Sequence, residues 1–155
     1  MSVRLLHWPF RLSMSVAALM LLDQSVFAGQ FLSGSFTALH THRENATYAG
    51  IAVLVAAASA VLLRWPGPPA GRGPVWPLLA CLALFGLIAL QIVLGFARTL
   101  TVHVPLGVLI ILMAVRLAVW AWRYQPAPVR PAPGPLPVGT PVPDAPVAAA
   151  PEARP

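Results

Sequence analysis

The chain has 155 residues, 58% of them hydrophobic and 9% charged, with a net charge of +6. Soluble domains carry about 25% charged residues, so this composition excludes an ordinary soluble globular domain. The arginines are scattered in ones and twos between apolar stretches, which argues against a nucleic-acid-binding face and for a chain whose partner is the lipid bilayer.

Crossing a bilayer as a helix takes about 20 apolar residues, and four stretches qualify: 12–31, 46–63, 75–96 and 102–122. The first is preceded by Arg4, His7-Trp8 and Arg11, where His7 and Trp8 read as interfacial anchors. Asp23 lies midway along it, and Val26-Phe27-Ala28 before Gly29 has some of the look of a signal-peptide cleavage site. A loop is expected at 33–45, with Thr41-x-x-Glu44 as a capping box that puts His42 in the first turn of the second helix. The stretch 65–74 is rich in Pro and Gly and cannot continue a helix. The third helix holds the single cysteine, Cys81, read as a small buried apolar residue. After a short loop at 97–101, Thr101 is a plausible cap for the fourth helix and Pro105 falls early in it. Arg116 sits in that helix's later half and is a possible ion-pair partner for Asp23. From residue 125 onward Pro, Ala, Val and Gly dominate without apolar periodicity, the pattern of a disordered tail.

The expected fold class is therefore all-α: an integral membrane four-helix bundle over residues 1–124, followed by a Pro-rich tail over 125–155. Arg4, Arg11, Arg64, Arg72, Arg123 and Arg130 flank the termini and the central loop. The positive-inside rule places those segments in the cytoplasm. A bacterial plasma membrane with both termini cytoplasmic is the expected setting, and the loops after the first and third helices then face outward.

Two segments match across 61 residues: Ala28-x-Gln30-x3-Gly34-x4-Leu39-x2-His42 and Ala89-x-Gln91-x3-Gly95-x4-Leu100-x2-His103. The match suggests two repeated helix hairpins, about 10–64 and 75–123, each contributing one histidine at the outer end. Helical bundles hold cofactors between side chains of facing helices, and neutral imidazole ligates haem iron, zinc and copper. His42 and His103 are thus candidate axial ligands of a non-covalent haem b or related haem, because no C-x-x-C-H is present for covalent attachment. Gln30, Gly34, Gln91 and Gly95 are candidate lining residues, and Arg43 and Arg98 candidate partners for haem propionates. Two alternatives stand beside this. In one, zinc or copper is bound with His40 as a third ligand; in the other, the histidines and glycines serve hydrogen bonding and helix packing alone.

At these residues the chain resembles the haem A synthase family, whose members are built from two four-helix bundles. His42-Arg43 is similar to the family's His-Arg element, and Leu90-Gln91-x-x-Leu94-Gly95 followed by His103 to its Gln-x-x-Leu-Gly element and later histidine. The likeness spans 28–122 and implies that His42 and His103 ligate haem. The chain has the length of one bundle, lacks the glutamate that precedes the family's first histidine, and lacks its paired loop cysteines. Arg4-Leu5-Leu6-His7-Trp8 is more weakly similar to the opening of cytochrome b561-type proteins. The expected function is electron transfer or haem handling, with a redox partner or membrane complex. A cofactor-free structural subunit or homo-oligomer, and a haem A synthase-like enzyme formed by a homodimer, are the alternatives.

Overall fold

The computed structural model describes residues 7–64 and 73–125, and among these all regular structure is helical. Four helices follow one another: α1 (Trp8–Leu32), α2 (Phe36–Leu62), α3 (Trp76–Phe96) and α4 (Leu100–Arg123). Each is long and apolar enough to cross a bilayer. α1 and α3 both open on a Trp-Pro pair, which places the missing proline N–H in the first turn where no intrahelical acceptor exists. The expected tail, from 126 onward, lies outside the described residues.

The first hairpin departs from expectation. Its loop is not 33–45 but a three-residue turn, and α2 begins at Phe36, six residues before the start that a Thr41 cap implies. The cause is Gly34, which takes a left-handed φ of +101°. The Ser35 N–H then reaches back to the Gln30 carbonyl and the Gly34 N–H to Phe31, the Schellman arrangement that closes a helix. Phe31 and Phe36 meet edge to face across the turn, with ring centres 6.3 Å apart. Residues 37–45, polar as they are, then simply continue the helix. Thr41 and Glu44 are not a capping box: the Thr41 hydroxyl bonds the Thr37 carbonyl, and Glu44 pairs with His40 at 3.4 Å. The second hairpin closes in the same way. Thr99 N–H bonds Leu94, Arg98 N–H bonds Gly95, and Arg98 occupies the left-handed position at φ +57°. Thr99, not Thr101, precedes α4.

The buried positions step along every helix by four, three and four residues: Phe10, Met14, Ala17, Leu21; Ala49, Val53, Ala56, Ala60; Pro77, Cys81, Leu84, Ile88; Ile110, Ala114, Leu117, Ala121. That is the seam spacing of left-handed bundle packing. α2 contributes mostly alanine together with Gly50, which lets its backbone lie close to its neighbours. Outward positions such as Leu19, Val26, Leu79, Val93, Val104 and Leu112 are apolar and exposed. Helices apolar on every face suit lipid rather than water. α1 packs on α2 and α4, and α3 packs on the same two, so α2 and α4 stand on a diagonal.

At the end where α1 begins and α4 stops, aromatic rings gather. Trp120 packs against Trp76, Phe10 and Tyr124, Trp8 against Trp122, and His7 stacks on Tyr124 at 5.7 Å. Arg11, a flanking charge in the sequence reading, has a structural task here. Its guanidinium donates to the carbonyls of Ala121 (3.0 Å) and Tyr124 (3.1 Å), capping the C-terminus of α4. Cys81 is buried and free, as expected, with Met14 sulfur 3.9 Å away. Asp23 and Arg116 do not pair: both are exposed, and the ion pair found among the described residues is His40–Glu44.

A left-handed backbone costs a residue with a Cβ roughly 1–2 kcal/mol. Arg98→Gly is therefore expected to stabilise the protein by about 0.5–1 kcal/mol after the entropy of the freer unfolded glycine, and Gly34→Ala to destabilise it by about 1 kcal/mol. Thermal unfolding in detergent reads both. His7 gives a pH dependence. Burial, reinforced by the Arg11 charge, holds its pKa below the ordinary 6.5. The unfolded chain thus binds the proton more readily than the folded one, so stability is full above about pH 6.5 and falls as the pH drops through the folded pKa. His7→Phe should flatten that fall in Tm.

Candidate functional site

His42 lies two turns into α2, not in its first turn as expected, and His103 at the fourth position of α4. Their rings nevertheless meet across the bundle diagonal, with centres 6.3 Å apart and planes tilted by 53°. The depths match because the turn of the first hairpin lies further out: eight residues separate Gly34 from His42, whereas five separate Arg98 from His103.

Both rings are held the same way. His42 Nδ1 lies 3.2 Å from the Gln24 carbonyl of α1, and His103 Nδ1 lies 3.0 Å from the Gln91 carbonyl of α3. A carbonyl oxygen only accepts, so each Nδ1 carries the proton and each Nε2 keeps a lone pair. This is how metal-ligating histidines are commonly oriented. Both imidazoles are half-buried.

The glutamine that meets His42 is Gln24, whereas the sequence match had singled out Gln30. Gln30 is exposed in the last turn of α1, and Gly34 is exposed in the turn. The 61-residue spacing that relates His42 to His103 also relates the buried positions of α2 to those of α4. The buried positions of α1 and α3 instead lie 67 residues apart, as do Gln24 and Gln91. A second offset in the apolar pattern was the available signal, and the motif match at 61 concealed it.

Gln24 and Gln91 behave differently. The Gln91 amide donates to the His103 carbonyl at 2.6 Å, completing a reciprocal clamp between α3 and α4. Gly107 makes room for it, since a Cβ there would come within 2.9 Å of the amide nitrogen. The position 61 residues earlier, in the spacing that relates α2 to α4, is Ala46. Both amide atoms of Gln24 are buried without a hydrogen-bond partner, as is Oε1 of Gln91. Buried polar atoms of this kind call for a ligand or water. Gly95 serves the ring itself: a Cβ at this position would lie 3.1 Å from His103 Cε1, so the imidazole rests on bare backbone.

The remaining predicted residues are at the same end but not on the pair. Arg43 is exposed with its guanidinium over the Phe96 ring at 5.1 Å. Arg98 is exposed in its turn. His40 points at Glu44 and both are largely exposed. Among the described residues no group of three or more His, Cys, Asp or Glu assembles, so His40 does not complete a three-ligand set with the pair. Asn45, which the sequence reading did not single out, donates to the Met20 carbonyl at 2.7 Å and ties α2 to α1 just below the site. No family model, curated protein sequence or solved structure matches this chain.

The glycines give a paired test. Gly86 has nothing within 4 Å of an added Cβ, so Gly86→Ala should gain most of the helix-propensity difference, about 1 kcal/mol. Gly107→Ala displaces the Gln91 amide and forfeits a hydrogen bond of about 0.5–1.5 kcal/mol. Its Tm should stay flat or fall while that of Gly86→Ala rises.

Proposed function

We propose that this chain is a small multi-pass membrane protein, built from two repeated hairpins, that binds one haem between His42 and His103 and uses it in electron transfer or haem handling. One observation carries the reading. Two imidazoles stand 6.3 Å apart across the bundle, each with Nδ1 committed to a backbone carbonyl and Nε2 left with a lone pair for a metal. Two rings sharing one metal at about 2.0–2.1 Å per metal–nitrogen bond have their centres roughly 6 Å apart, so the spacing suits a single ion. The donor set favours haem over a bare ion. A protein zinc site draws on three or four side chains, whereas haem iron brings four nitrogens of its own and takes two axial ligands.

When bound, such a haem supplies one-electron chemistry. The chain's residues would do the rest. His42 and His103 hold the iron, and the Gln24 and Gln91 carbonyls fix both rings in the Nδ1-protonated tautomer. Gly95 admits the His103 ring, and exposed Arg43 and Arg98 are available for carboxylates at the rim. Gln30 and Gly34 have no part in this version of the site. A bacterial plasma membrane with cytoplasmic termini remains the proposed setting, from the arginine distribution.

A second reading has its own support. The reciprocal Gln91–His103 clamp stabilises the α3–α4 pair without any cofactor, as expected of a structural membrane subunit.

Protein purified in mild detergent and titrated with haem separates the two. The expected result is a low-spin spectrum with one haem per chain, lost in His42→Ala and in His103→Ala. A folded protein that takes up no haem would sink the proposal and leave the structural reading.

A further inference from the structure

We propose that α4 carries a binding site for the phosphate of an anionic phospholipid, formed by Arg116 and Arg123 at the aromatic end of the bundle. The site is far from the histidine pair and rests on the proposed membrane setting with cytoplasmic termini.

Arg116 and Arg123 are seven residues apart, hence on one face of α4. Both are exposed, and both line one cavity of about 320 Å³ together with Val115, Val119 and Trp120. At 1.5 Å per residue, Arg116 lies about 10 Å deeper than Arg123. A guanidinium at that depth on a lipid-facing surface is costly without a counter-charge. The bundle supplies none: the ion pair among the described residues is His40–Glu44, at the opposite end. Asp23, fifteen residues into α1 from Trp8, lies about 22 Å along its helix from the aromatic end. Two unneutralised guanidiniums opening on one cavity call for an anion, and the guanidinium fork matches phosphate oxygens in a bidentate manner.

The walls say what carries that phosphate. Val115, one residue deeper than Arg116, and Val119, between the two arginines, offer apolar surface suited to an acyl chain. Trp120 forms a rigid side, held by Trp76 at 4.5 Å, Tyr124 at 4.7 Å and Phe10 at 6.2 Å. Basic recesses of this kind at the cytoplasmic side of membrane helices recognise anionic headgroups. An amphipathic phosphate ester fits both halves of the cavity, and free phosphate fits only one.

Native mass spectrometry of the full chain, released from nanodiscs containing equal phosphatidylglycerol and phosphatidylcholine, tests the site. The wild type should retain phosphatidylglycerol over phosphatidylcholine by roughly thirtyfold, from about two basic contacts. Arg116→Gln/Arg123→Gln should retain the two lipids equally, and Arg116→Lys/Arg123→Lys should keep most of the preference. Arg64→Gln, which removes one arginine charge outside this cavity, should leave it intact. An unchanged preference in the Gln double variant would overturn the proposal. So would displacement of the retained lipid by millimolar inorganic phosphate, which would assign the site to free phosphate. Resistance of the protein to carbonate extraction from cell membranes reports separately on the membrane setting.

Discussion

Two hydrogen bonds from imidazole Nδ1 to a neighbouring helix's carbonyl organise the histidine end of this bundle. A helix-interior carbonyl is a fixed acceptor, placed by the whole helix that carries it. Once His42 donates to Gln24 and His103 to Gln91, both rings are oriented by α1 and α3 rather than by their own helices. Their facing geometry, the lone pairs on Nε2 and the need for bare backbone at Gly95 all follow from that arrangement.

The arrangement requires helices at a set register and distance, which the seam provides. Buried residues at four-, three- and four-residue steps keep one stripe of each helix inward over its length. The alanines of α2 bring its backbone in close. At the far end, Arg11 spans from α1 to the last carbonyls of α4. Interlocked rings around Trp120 complete that end. The two ends thus use different chemistry. One is tied by aromatic packing and a guanidinium cap, the other by histidine, asparagine and glutamine bonds to backbone.

The two histidines are held unequally. Gly107 lets the Gln91 amide nitrogen dock on the His103 carbonyl, whereas neither amide atom of Gln24 has a hydrogen-bond partner. The Gln24 carbonyl holds the His42 ring, while its side-chain amide is buried without a hydrogen-bond partner.

Helix number, helix order and the pairing of His42 with His103 were legible in the residues, because length, apolarity and a recurring motif are local properties. The start of α2, the identity of the α1 glutamine and the task of Arg11 were not. Helices apolar on all faces can slide by a turn without changing their hydropathy, so composition carries no register. The register came from where Gly34 and Arg98 take left-handed φ, and from which small residues admit close packing. The sequence by itself determined which segments are helices and which end of each carries polar groups. Only the tertiary structure decided which of those groups meet, because side-chain contact across helices depends on turn position and interhelix distance, and neither is written in any one segment.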